Sequence, residues 1–392
     1  MPGTFRNAAL LLLLVLNLWT VSLIPALAIG MRQDVAETSY IELANNGAEF
    51  PPGKFPDFMP VAAIGISDRD GDFEIIGSGI LVAPNWVLSA AHVVLSGKRG
   101  EDFEAGLEVR FGRAGSAPML RRQVSGIATP LPPTQLRPLL RSGPRVSESE
   151  VVHAEFHDLA LIRLDSPVTE IAPAPFDNSV EPLVGRTIYI AGFGDASTGN
   201  NTKSRTWTPA DLKRAAENVI DREITKNPFN SQTVGGILLF DFDNGSEERN
   251  SLNLPSKSWE HLFGTGQSSA QPAGLEGASY PGDSGGPAFA KIGTRWCVVA
   301  VSGYGTGFPP DRRRTSIQFG DILAYTRISP HSAWIQQQIT PPAPPKPTAI
   351  VAPADPTVEV SKVPVPMPSA EAMPTPPIFR PPTEKPPAPT GR

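Results

Sequence analysis

Cysteine is nearly missing. The 392-residue chain has one, Cys297, so no intrachain disulfide can form and packing alone must hold any fold together. In the apolar run 296–301, that thiol reads as a buried structural group and not a reactive one. A strong charge bias is missing too. The formal net charge is -5 and no Lys/Arg stripe is visible, which excludes the electrostatic footprint of a nucleic-acid binder. No apolar run after the first 28 residues is long enough to cross a membrane as a helix. No repeat of fixed period is visible, which argues against a solenoid or propeller. Histidine is scarce, with His92, His153, His157, His261 and His331 making five, so a general base has few candidates. The acidic loop Asp68-Arg69-Asp70-Gly71-Asp72 resembles part of a calcium loop but lacks the downstream ligands, so it reads as a hairpin turn. No metal site and no organic cofactor are expected.

What is present has the balance of a globular protein: 40% hydrophobic and 7% aromatic residues. Residues 1–28 read as an export signal, with Arg6 in the positive region, an apolar core at 8–16, and Ala26-Leu27-Ala28 as the small-x-small cleavage site. An uncleaved anchor is the competing reading, because no charge falls between Arg6 and Arg32. The cleaved form is secreted or periplasmic and has no stable membrane insertion. Residues 29–57 form an N-terminal arm. Short apolar runs at 60–66, 73–82, 107–111, 123–127, 158–164, 187–191, 287–291, 296–302 and 324–328 read as strands between turn signals. Residues 330–340 read as a terminal helix with Trp334 and Ile335 inward. Such a pattern predicts an all-β barrel or sandwich. Residues 195–275 read as a polar, weakly patterned insertion carrying a short helix at 209–219 and an apolar run at 236–242. Residues 341–392 hold 18 of the 44 prolines and read as a disordered, polyproline-like tail.

One stretch carries chemistry: Pro281-Gly282-Asp283-Ser284-Gly285-Gly286-Pro287. Glycine costs backbone entropy and proline deletes a donor, so this is a tight turn and no element interior. Backbone amides converging around a serine would form an oxyanion hole, with Gly282 and Ser284 as donors and Ser284 as nucleophile; taken alone, the stretch reads equally as a surface turn that holds a serine. A serine needs a base, and the base an orienting acid. His92 follows the apolar run Val87-Leu88 and the small residues Ser89-Ala90-Ala91. Asp158 opens the buried strand Leu159-Ala160-Leu161-Ile162. Taken singly, His92 reads equally as a core histidine and Asp158 as a strand cap; the order His, Asp, Ser is what joins them.

These stretches resemble the chymotrypsin-like, or trypsin-like, serine proteases. The match runs through Gly77-Ser78-Gly79, Trp86 to His92, His157-Asp158-Leu159-Ala160-Leu161-Ile162, Ala191-Gly192-Phe193-Gly194, Gly282 to Pro287, Val301-Ser302-Gly303 and Tyr325-Thr326-Arg327-Ile328. The arm and the stretches 213–221 and 241–243 look like the bacterial, disulfide-free branch. The resemblance implies two antiparallel six-stranded β-barrels, at about 58–175 and 176–328 within a protease domain of 58–340, with a C-terminal helix. It implies a triad of His92, Asp158 and Ser284, with Ser302 bonding the triad acid, and protein or peptide substrates.

Three features depart from the common pattern. Val93 stands where a half-cystine is frequent. Ala278, six residues before Ser284, replaces the acid of basic-specific enzymes; with Leu323 narrowing the pocket and Gly303 lining it, cleavage after small or aliphatic residues is expected. Activation in the family uses a new N-terminal amine. Here Ile29, directly after the signal, is expected to pair with Asp283; the alternative is that other groups satisfy Asp283. A non-catalytic binding module at the cell envelope is the alternative function. Cell-envelope contact through the proline-rich tail is a further candidate role.

Overall fold

Short runs of branched apolar residues cannot satisfy their backbone groups alone and must pair with one another. In the computed structural model of the chain they do so as two β systems. The structure describes residues 29–95, 105–112, 120–140, 148–194, 196–199, 212–227, 233–253, 264, 266–306 and 317–340. The expected signal at 1–28, the tail at 341–392 and His261 lie outside them.

Six strands make the first system: β1 (Val61–Ser67), β2 (Phe73–Ala83), β3 (Trp86–Ser89), β4 (Leu107–Phe111), β5 (Leu120–Ala128) and β6 (Ala160–Leu164). They close in the order β1-β2-β3-β6-β5-β4, with Ile64 opposite Val109 completing the ring. The acidic loop is the tight turn expected. Asp68 Oδ1 accepts the amides of Asp70 and Asp72, and Gly71 takes φ 91°, a value open to glycine. Val61, Ile64, Ile80, Leu88, Phe111 and Leu161 are fully buried in its interior. Each such side chain contributes about 1.5–3 kcal/mol, which is the cohesion available to a chain without disulfides.

The second system contains β7 (Thr187–Gly192), β8 (Arg214–Val219), β9 (Arg222–Lys226), β10 (Thr233–Asp241), β11 (Pro287–Ile292), β12 (Arg295–Thr306) and β13 (Ile322–Arg327). Their order is β8-β7-β11-β12-β13-β10-β9. Among the described residues the second half is a sheet of seven strands, where six were expected. Its edge strands β8 and β9 are separated in the chain by Ile220 and Asp221 alone, so the sheet curls until its edges meet at one corner. In addition, residues 195–275 are not an appendage: they supply β8, β9 and β10. The helix expected at 209–219 is strand over 214–219, paired residue by residue with β7. Ala215 and Ala216 are good helix formers, but both are fully buried in the sheet, and tertiary pairing overrides local preference.

The arm contains a helix that composition did not reveal, α1 (Glu37–Ala44), with Tyr40, Leu43 and Ala44 buried. Ahead of it, Gly30–Met31 pairs antiparallel with Gly277–Ala278 and parallel with Ser197–Thr198. Arg214, fully buried, bonds Glu37 through Nε and Nη2. A single turn of helix, α2 (Ala91–Val94), follows β3, and α3 (Glu148–Glu155) leads into β6. The terminal helix is present as α4 (Ser332–Ile339), with Ile335 fully buried and Trp334 half-buried. Cys297 is buried and free, and burial pushes its thiol up.

Candidate active site

His92 owes its place to the change from extended β3 to α2, which starts after Ala90 and Ala91, both fully buried. Small residues let the turn sit tightly against the barrel wall. Asp158 comes from the other side, at the end of the turn between α3 and β6, and is 3% exposed. Its Oδ1 accepts the His92 backbone amide at 2.9 Å and its Oδ2 faces His92 Nδ1 at 2.7 Å. The two contacts fix both the ring and the turn that carries it. With Nδ1 so engaged, Nε2 is the nitrogen left for proton transfer. Burial alone would lower the imidazole pKa. The Asp158 charge and hydrogen bond outweigh it, and His92 is raised above its ordinary value.

Ser284 sits in the glycine-rich turn between Gly277–Ala278 and β11. Gly282 and Gly285 adopt φ 95° and 82°, conformations that a Cβ disfavours. Gly285 also has no room for one: a Cβ there would meet Ser89 Oγ at 2.1 Å and Ser78 O at 2.4 Å. The loop is thus pressed onto the first barrel beside His92. Ser78 N donates to Ser284 O at 2.7 Å, and Ser78 Oγ donates to Gly282 O at 2.9 Å. Ser78 Oγ in turn accepts from Phe193 N at 2.9 Å. The amides of Asp283, Gly285 and Gly286 are spent on Tyr280, Ser302 and Asp283 carbonyls. Among the described residues, those of Gly282 and Ser284 carry no intramolecular bond. Ser284 Oγ has no hydrogen-bond partner there either, as is common in a site without substrate.

The remaining expected residues fall around this centre. Asp283 is 1% exposed; its carboxylate accepts from Gly194 N at 3.2 Å and Tyr280 N at 3.0 Å. A Cβ at Gly192 would strike Asp283 Oδ1 at 2.1 Å, which accounts for glycine there. Ile29 is fully buried in the second core, beside the strand pairing of Gly30 with Ala278. Ser302 is 4% exposed and its strand is bonded to the serine loop through Gly285 N and Gly286 O. Its hydroxyl bonds Tyr325; no bond from it to Asp158 is present among the described residues. Gly303 approaches Asp158 instead: a Cβ there would lie 3.7 Å from Oδ2. Ala278 is fully buried. Leu323 is 1% exposed and faces Gly305, whose Cβ would lie 3.1 Å from Leu323 Cδ1. The contacts of the Ser78, Ser89 and Tyr325 hydroxyls escaped the sequence reading. All three lay inside quoted motifs, but a motif does not disclose what a hydroxyl bonds.

Among the described residues no cluster of histidine, cysteine and carboxylates is arranged to hold a metal ion. The family model described as "Trypsin-like peptidase domain" matches residues 77–301, more than half of the chain. The chain belongs to the trypsin-like peptidase family. Mouse tryptase is 24% identical over 273 residues, covering 67% of this chain and 77% of tryptase. Among solved structures, neuropsin, a serine protease expressed in the limbic system of mouse brain, is 19% identical, with a TM-score of 0.42. That alignment covers 72% of this chain and 95% of neuropsin. Family membership gives this chain a peptidase function, with protein or peptide as the substrate class.

Proposed function

We propose that this trypsin-like peptidase is an exported serine endopeptidase working by acyl transfer. One observation carries the reading: the Asp158–His92 pair and the two unspent amides of Gly282 and Ser284 are assembled on the two sides of one seam, which Ser78 bonds together. In this mechanism Ser284 Oγ attacks the scissile carbonyl as His92 Nε2 takes its proton. Asp158 holds the imidazole with Nδ1 protonated and stabilises the imidazolium. The amides of Gly282 and Ser284 meet the oxyanion, each donor worth about 10²–10³ in rate. His92 then gives its proton to the leaving amine, and water repeats the sequence on the acyl-enzyme.

Cleavage after small or aliphatic residues follows from Ala278 and Leu323, which offer no carboxylate to a basic side chain and leave little volume beside Gly305. Export is supported by residues 1–28, and no helix of the described residues is long and apolar enough to cross a membrane. Activation by an Ile29 amine paired with Asp283 is supported by the full burial of Ile29 and by its strand's pairing beside Ala278. Adding one residue before Ile29 abolishes activity on this reading; full activity in that variant would sink it.

The test of the whole is intact mass before and after a serine-reactive phosphonate. One adduct on the wild-type chain, absent from Ser284→Ala, is expected. An unlabelled wild-type chain beginning at Ile29 would favour a binding module instead.

A further inference from the structure

The turn that carries Asp158 is held from the far end of the chain. Glu155 O accepts Thr326 Oγ1 of β13 at 3.0 Å, and the Glu155 carboxyl is hydrogen-bonded by the Tyr304 hydroxyl of β12. The next carbonyl, that of Phe156, faces His331 Nε2 at 2.9 Å. A carbonyl only accepts, so Nε2 carries the proton and donates it. His331 is 7% exposed and stands at the N-cap of α4, while Phe156 is fully buried. Gly235 of β10 closes over the bond: a Cβ there would lie 3.3 Å from Phe156 O and 3.6 Å from His331 Nε2. The terminal helix thus grips a backbone atom two residues from Asp158, whereas the amides of Phe156, His157 and Asp158 bond only to carbonyls at 152–155.

Three imidazoles meet there. The His157 ring lies edge to face with His153 on one side and His331 on the other, each pair with centroids 5.1 Å apart. His157 Nδ1 is buried and has no hydrogen-bond partner among the described residues. The nearby acids are engaged elsewhere: Glu155 by Tyr304, Asp158 by His92, and Glu223 of β9 by Arg327 of β13 beside Gly236. No carboxylate is among the groups acting on the His157 or His331 ring. We infer that His331 is a positioning residue for the triad acid, acting through the Phe156 carbonyl, and that its stack with His157 makes this grip release in acid. The inference rests on the triad of the proposed function. A proton on His157 Nδ1 would be an enclosed donor without an acceptor, and a charge beside two further imidazoles. The nitrogen gains water only when the ring leaves the stack, and His157 is joined directly to Asp158. Burial first, then His331 and His153, push His157 down to about 4. A histidine that binds fewer protons in the gripped state than in the released one weakens the grip as pH falls from about 6.5 towards 4.

The experiment is kcat and KM for a peptide ester between about pH 9 and pH 4, in the wild type, His331→Phe and His157→Asn, each checked for phosphonate labelling. His331→Phe keeps a ring and loses the donor. Its kcat near pH 8 should fall about tenfold while KM holds, the scale of one hydrogen bond left unmade. In the wild type, log kcat should fall with a slope of one as His92 takes its proton, and more steeply below about pH 5 as the grip releases. His157→Asn cannot titrate and should keep the slope of one throughout. Unchanged kcat in His331→Phe, a single slope in the wild type, or the same steep limb in His157→Asn overturns the inference and leaves the peptidase intact. If the variants do not fold, the wild-type profile decides alone, its steep limb counted only where circular dichroism shows the fold intact. No hydrolysis by the wild type at any pH overturns the peptidase reading, and this inference with it.

Discussion

Replacing Ser78 by alanine tests whether the seam between the two β systems builds the oxyanion hole. Ser78 is fully buried, and its hydroxyl makes two bonds of 2.9 Å: one accepted from Phe193 N, one donated to Gly282 O. Ser78→Ala removes both and leaves a buried donor and a buried acceptor unpaired. Each orphan costs about 1–3 kcal/mol, so the loss of stability is about 2–6 kcal/mol. Activity should fall for a separate reason. Gly282 O and Gly282 N belong to consecutive peptide units, and releasing the carbonyl frees the left-handed turn that aims the amide. Losing one oxyanion donor costs about 10²–10³ in rate. Because the effect falls on the transition state, kcat should drop while KM holds. The assay is steady-state hydrolysis of a peptide ester, with urea unfolding in parallel, well below the temperature at which the variant melts. Wild-type kcat in a variant that has lost 2 kcal/mol or more would show that Ser78 holds the seam without shaping the site. Wild-type stability would refute the bond count itself.

Three other outcomes follow from single contacts. Since His92 must be neutral to act and its pKa is raised, kcat should rise with pH through a value above 6.5; a midpoint below 6.5 would contradict the Asp158 pairing. Removing Glu37 leaves the fully buried Arg214 guanidinium without its partner. Glu37→Ala should therefore cost about 3 kcal/mol in urea unfolding, and a loss under 1 kcal/mol would show that the Leu212 carbonyl suffices. At the corner where β8 meets β9, a half-buried Asp221 adjoins the buried acids Asp241, Asp243 and Glu276. Burial and the neighbouring carboxylates push Asp243 up to about 9 and Asp221 to about 8. Acids whose folded pKa is raised bind more protons folded than unfolded, so stability falls as pH rises from about 4 towards 9. Asp243→Asn, at a position where Oδ1 has no hydrogen-bond partner among the described residues, should unfold at higher urea than wild type at pH 8 and close to it at pH 4. Equal midpoints at both pH values would remove the argument.

Strand alternation and turn chemistry made most of the fold legible in advance. Leu107–Phe111 and the first strands of both systems fall within a few residues of where apolar runs end at glycine or aspartate. The misreadings cluster where local preference opposed tertiary pairing. Arg214-Ala215-Ala216-Glu217-Asn218-Val219 has helix-favouring residues and no clear period, and it became a strand because β7 was there to receive it. The helix α1 escaped because Pro51 and Pro52 dominate the arm's composition while its core contact is made by only three side chains.

By itself the sequence determined that cohesion had to come from packing, that the fold was β, and which serine, histidine and acid could act together. A glycine-rich turn around a serine and a capped, buried strand behind an aspartate are local constraints, and local constraints are written in consecutive residues. Only the tertiary structure decided how those pieces meet. That Ser78 ties Gly282 to the first barrel, that the Ser302 hydroxyl turns to Tyr325, that Glu155 reaches Tyr304, and that seven strands share the second sheet depend on residues far apart in the chain. Such contacts form only after the loops between them have closed, and no single stretch of sequence carries their geometry.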